Sequence, residues 1–175
     1  LALMIRTARS LYGHGKVLDA ISEYGKAAGA AFAAGKRDLA FDLAFTRGSL
    51  QLRAKQYDVA AGAFGELMSR VPDNPRAAEA SLLHAYALGQ LYNTRRTKDR
   101  REEYTRAIEE HREKFPDHPT AASATWMLAQ LEEQRLQTSV ALRLYRSIPA
   151  DHPRGPAARL AVARCYEKIL TRLRS

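Results

Sequence analysis

The sequence predicts an all-α chain, an α-solenoid of antiparallel helix pairs, on three observations. Ala and Leu abound, and no stretch sustains the period-two alternation of Val, Ile and Thr that a half-buried strand requires. Pro116-Asp117-His118-Pro119-Thr120-Ala121-Ala122 recurs barely altered as Pro72-Asp73-Asn74-Pro75-Arg76-Ala77-Ala78, and more loosely as Ala150-Asp151-His152-Pro153-Arg154-Gly155-Pro156. Small residues recur at a fixed distance from these stretches. Ten positions beyond Pro75, Pro119 and Pro153 lie Ala85, Ala129 and Ala163.

Each recurring stretch reads as a helix–helix junction. Proline suits the first helical position, where its missing N–H would have had no partner anyway. The Asp, Asn or His before it can cap, and the alanines that follow favour helix. Three statements of one junction mark a repeat architecture.

The elements follow in order from that spacing. A small residue on one helix lets a second approach closely, and the second supplies its own small residue and then a large one to fill the groove. Ala8 to Ala20 is twelve residues, with Tyr24 four further on; Gly48, Ala60 and Phe64 repeat the steps, as do Ala129, Ala141 and Tyr145. Helical pairs are therefore predicted over about 1–34, 38–72, 75–116 and 119–149, with a closing helix over about 155–172. That helix is expected to present a polar outer face, as the end of a solenoid requires. The third pair breaks the step. Ala85 to Ala107 is 22 residues, and His111 stands where the filling aromatic belongs. Longer helices or a protruding turn should absorb the excess.

Small residue, twelve-residue step, Ala-x-x-x-aromatic and closing Pro together resemble the tetratricopeptide repeat (TPR). Asp117 to Asp151 spans 34 residues, the length of that repeat, and the match in the second pair takes in Gly48, Tyr57, Ala60, Phe64 and Pro72. Ala44 and Gln51 depart from it, standing where the family usually has aromatics. The resemblance implies a right-handed superhelix whose first helices line a concave groove. It implies a non-catalytic scaffold that binds a protein or peptide. Carried over by spacing, the groove positions include Arg9, Phe45, Ser49, Arg53, Tyr86, Gln90, Trp126, Gln130, Arg164 and Lys168. Aromatic anchors, amides and arginines suit a peptide. Trp126 falls one residue past the position where the family buries an aromatic, so groove and core are both open to it. The Lys/Asn arrangement with which some members clamp a terminal carboxylate is missing, because Phe45 and Ser49 occupy two of its places.

A formal charge of +9 keeps an anionic partner in view. The alternative site is the basic run of Arg95, Arg96, Lys98, Arg100 and Arg101, which could meet nucleic acid or an acidic partner. Interspersed Asp99, Glu102 and Glu103, and the lack of aromatics inside the run, favour a solvated helix extension instead.

Enzyme signals fail on inspection. Gly29 to Arg37 has the wrong spacing for a phosphate loop and reads as an Ala-rich helix ending at Gly35. No histidines lie four apart, and the single cysteine, Cys165, sits on an apolar helix as a core thiol. No catalytic residue, metal or cofactor is expected. No run approaches the roughly eighteen apolar residues of a membrane span. The chain lacks an initiator Met, and Leu1 falls at the start of a repeat, so further repeats are expected upstream. The junctions resemble those of bacterial cell-envelope TPR proteins, which points to a bacterial cytoplasm or envelope.

Overall fold

The short turns between the predicted helices leave little choice but antiparallel neighbours. A computed structural model, which describes residues 1–174, has nine helices and no strand among those residues. The chain divides into two compact units, Leu1–Tyr104 and Thr105–Ser175. The first holds α1 (Ala2–Gly13), α2 (Val17–Ala33), α3 (Arg37–Arg53), α4 (Tyr57–Arg70) and α5 (Ala77–Thr94). Helix α6 (Lys98–Lys114) begins in the first unit and ends in the second, which also holds α7 (Thr120–Gln134), α8 (Thr138–Arg146) and α9 (Gly155–Arg174).

Two kinds of joint connect these helices, apart from the extended link at Arg95 that joins α5 to α6. The tight kind follows α1, α2, α3 and α7. In each, one residue takes a left-handed backbone: Gly15 (φ 73°), Gly35 (φ 68°), Lys55 (φ 58°) and Leu136 (φ 62°). The next amide, of Lys16, Lys36, Gln56 or Gln137, then donates at 2.9 Å to the carbonyl of Leu11, Ala31, Gln51 or Glu132, which closes the helix end in a Schellman turn. Glycine has no Cβ to hinder this conformation; Lys55 and Leu136 adopt it against their preference. Asp19, Asp38 and Asp58 then stand in the first turns of α2, α3 and α4, where the helix dipole favours a negative charge.

The longer kind is the recurring junction, and its hydrogen bonds repeat one for one. Asn74 Oδ1 accepts the amide N–H of Arg76 at 2.9 Å, His118 Nδ1 that of Thr120 at 3.2 Å, and His152 Nδ1 that of Arg154 at 3.0 Å. The same three residues accept with their backbone carbonyls from Ala77, Ala121 and Gly155 at 2.8, 2.9 and 2.7 Å. The side chain before the proline therefore closes a turn onto the residue two positions on. The N-caps of α5 and α7, Arg76 and Pro119, make no side-chain cap of their own. Proline, however, does not take the first helical position: α5 starts two residues after Pro75, α7 one after Pro119 and α9 two after Pro153. The side-chain turn comes first, and the helix begins where it ends. His118→Ala should therefore cost about 1 kcal/mol. His118→Asn, which copies the Asn74 junction, should cost less than half as much. Thermal unfolding followed by the fluorescence of Trp126 separates the two outcomes.

The core is the predicted layering of small against large. Ala8, Ala20, Ala60, Phe64, Ala129 and Ala141 are fully buried, with Tyr24 and Tyr145 nearly so. A Cβ on Gly48 would lie 2.9 Å from Phe64 Cζ, so only glycine leaves that ring its seat. The edge of Phe64 meets Phe45 at 5.5 Å between centroids. In the third pair the excess residues lengthen the helices. Relative to α3, α5 continues four residues further past its small residue. The added turn has its own small–large layer, in which the Tyr104 ring lies 2.8 Å from where a Gly89 Cβ would be. Burial pushes the Tyr104 hydroxyl up to about 12.

His111 is fully buried, and neither ring nitrogen has a hydrogen-bond partner. Cys165 is a buried thiol raised by burial. Helix α9 departs from the polar outer face expected of it. Leu160, Tyr166, Leu170 and Leu173 are all exposed among its basic residues, and Ala163 is exposed where its counterparts Ala85 and Ala129 are buried.

Candidate functional site

The first helix of each pair should carry the binding positions, and in the first unit these are α1, α3 and α5. Arg9 is exposed on α1, with Tyr12 one turn further along. Arg53 extends from α3, and its Nη1 donates to the Tyr12 hydroxyl at 2.6 Å. That bond holds one end of the guanidinium and turns the phenol ring into part of the same surface. On α5, Tyr86 is 43 % exposed, and Gln90 follows one turn later, partly exposed. An aromatic ring, two cations and an amide are thus open to a ligand within this unit. Tyr12 had no place in the sequence pattern. Its position three residues after Arg9 is the signal that it shares a face with that residue.

Phe45 is not an exposed anchor. It is 8 % exposed and packs with Phe41 and Phe64, and the Arg76 guanidinium covers its ring at 3.9 Å. Arg76 is itself held by Asp42 at 3.2 Å and Glu79 at 3.1 Å, so the lid is fixed in place. Ser49 is partly buried and donates its hydroxyl to the Phe45 carbonyl at 2.9 Å.

In the second unit, Gln130 is exposed on α7 and Trp126 is half-buried. Trp126 packs against Tyr145 at 5.2 Å, with the Arg154 guanidinium 5.5 Å from its ring, so it serves the core in part. Arg164 and Lys168 are engaged inside the chain. Glu133 accepts both Nε and Nη2 of Arg164 at 2.9 Å, Nζ of Lys168 at 2.7 Å and the Tyr145 hydroxyl at 3.0 Å. The Arg164 hydrogen bonds, with those of Lys168 and Tyr145, outweigh burial and pull the Glu133 carboxyl down to about 2. The bond to Glu133 raises the Arg164 guanidinium, and burial first, then the bond to Glu133, raises the Tyr145 hydroxyl. These two cations lock α7 to α9.

The basic run is likewise partly spent. Arg100 Nη1 donates to the Leu91 carbonyl at 2.9 Å, closing the end of α5, and Lys98 lies 3.7 Å from Glu102. Arg95 and Arg96 are exposed, while Arg101 is partly buried.

Among the described residues no helix is long and apolar enough to cross a membrane, and no cluster of three His, Cys, Asp or Glu is placed to hold a metal ion.

No family model matches the chain, and no curated protein matches it. Its likeness is to solved structures. The TPR-like repeats assigned to a Podosopora anserina kinesin light chain, nearly identical to one another, superpose with a TM-score of 0.65 at 14 % identity, covering 99 % of this chain and 89 % of that one. A point variant of the same repeats gives a TM-score of 0.66, also at 14 % identity, covering 99 % and 88 %. The fold is therefore the TPR-like array of helix pairs.

Proposed function

We propose that the chain is a non-catalytic interaction scaffold that holds a peptide segment of a protein partner against α1, α3 and α5. The observation that carries this reading is the Tyr12–Arg53 pair together with the exposed Tyr86 on α5. Its side chains are ordered before any ligand arrives, so less side-chain freedom is lost on binding. Aromatic rings at a partly dry surface take an apolar side chain, and Arg9 and Arg53 favour carboxylates nearby. The ligand is thus an acidic segment with at least one large apolar residue, in keeping with the chain's charge of +9. The half-buried Trp126 and exposed Gln130 offer a similar surface on α7. Arg164 and Lys168 shape that unit through Glu133 rather than meeting a ligand themselves.

Capture of partners from lysate, with and without nuclease, tests this reading. A bound protein should survive nuclease. Its affinity should fall at least tenfold, about 1.4 kcal/mol, in Tyr86→Ala or Arg53→Gln. Capture that disappears with nuclease, or with Arg95→Gln/Arg96→Gln, would overturn it in favour of the basic edge.

A further inference from the structure

We propose a second, separate site: the cleft between α2, α3 and α4 binds a carboxylate, and Arg47 is its anchor. Arg47 lies on α3 and is partly buried, and its Nε is shut off from solvent with no hydrogen-bond partner. Among the described residues, none accepts a hydrogen bond from this side chain or pairs with its charge. A guanidinium presents five donors and cannot give up its proton. Taking its Nε–H out of water without an acceptor is unfavourable, and nothing among the described residues offsets that.

The surrounding helices are nonetheless arranged to seat it. Gly25 falls in the interior of α2, where glycine disfavours helix. A Cβ there would lie 3.3 Å from Arg47 Nε and 3.4 Å from Cδ and Cζ, so the missing side chain is what lets the guanidinium lie against the helix. Gly29, one turn on, lines the same cleft and has no atom within 4 Å of its Cβ direction, which leaves that wall open.

Charge and size then select the ligand. The other arginine of the cleft, Arg70, is already committed: its Nη1 donates to Glu66 at 3.0 Å and its guanidinium stacks on Phe32 at 4.0 Å. With Arg70 and Glu66 neutralising each other, one uncompensated positive charge remains, which suits a monoanion. The cleft volume of about 150 Å³ admits a carboxylate on a stem of a few carbons and is too small for a nucleotide or sugar phosphate. Ala28, Phe32 and Leu67 give that stem apolar walls. The carboxylate could be borne by an acidic side chain or by a small free acid; the chemistry of recognition is the same.

The test follows the arginine Nε–H resonances of the whole chain by NMR during titration with butyrate, inorganic phosphate and a terminally blocked glutamate peptide. Butyrate should shift Arg47 saturably and raise the melting temperature. Both effects should weaken at least tenfold in Gly25→Ala and persist in Arg96→Gln; in Arg47→Gln, which lacks the reporting resonance, the rise in melting temperature should weaken at least tenfold. A glutamate peptide that binds tenfold tighter than butyrate assigns the site to a protein-borne carboxylate; the reverse order assigns it to a free acid. Phosphate binding tighter than either, an unsaturable shift, or wild-type binding by Arg47→Gln would each overturn the proposal. Without ligand, Arg47→Gln should melt no lower than wild type, since it removes an unpartnered charge. A lower melting temperature would make Arg47 a packing residue and sink the idea.

Discussion

Phe64→Ala is expected to remove about 3–5 kcal/mol of stability, enough to leave the first unit marginal. The ring is fully buried, sits edge-on to Phe45 and occupies the space that Gly48 leaves by having no side chain. Truncation would empty the contact between α3 and α4 that the whole layering depends on. The converse change tests the same contact from the other side. Gly48→Ala improves helix propensity, yet its Cβ would fall 2.9–3.2 Å from three ring atoms of Phe64. The net result should be a loss of about 1–3 kcal/mol, because a ring boxed in by neighbours cannot step aside. Gly48→Ala combined with Phe64→Leu should recover part of that loss. Urea unfolding of wild type, the two single variants and the double variant measures the coupling directly, and strictly additive losses would refute a direct contact.

Acid should weaken the second unit through His111. Burial, with a smaller contribution from nearby His118, lowers the His111 imidazole from 6.5 to about 4. Above pH 6.5 the ring is neutral in both folded and unfolded chains and carries no penalty. Between pH 6.5 and 4 the unfolded chain takes up a proton that the folded chain refuses, so stability falls as pH falls. Below pH 4 both states are protonated and this residue adds no further loss. The total is about 2–3 kcal/mol, allowing for some solvent screening. His111→Phe, which restores an aromatic filler beside Phe115, should abolish this increment and be the more stable protein throughout. Trp126, the chain's one tryptophan, lies in the same unit and reports its unfolding. Comparing urea midpoints at pH 7.5 and 4.5 subtracts what the other histidines contribute. An identical pH dependence in the two proteins would remove His111 from the account.

What could be seen in the residues beforehand was what is encoded locally. Junctions such as Pro72 to Ala78 contain their own turns, and the Gly48–Ala60–Phe64 spacing states which faces meet, so helix pairs and core layers were legible. Proline placement was misjudged because the Asn74 and His118 side-chain turns compete with the first helical turn, and propensity does not weigh that competition. Site residues were harder. Phe45 is covered by Arg76, thirty-one positions away in sequence, and Glu133 captures Arg164 across a similar gap. Neither pairing leaves a trace in a local pattern, because surface charges find partners through tertiary placement. Tyr86 and Arg53 were legible as exposed members of first helices. Arg47 was not, since an arginine without a partner looks in sequence like any other.

The two kinds of joint also bear on how the chain reaches its structure. Every hydrogen bond that closes a Schellman turn or a proline junction links residues no more than five apart. Each corner can therefore form while its neighbours are still disordered, and little loop-closure entropy stands in the way. Folding of this kind nucleates at several places and spreads to adjacent pairs, at rates characteristic of local topologies. Damage should stay local for the same reason: a lesion in one pair frays that pair and the next before it reaches the far end.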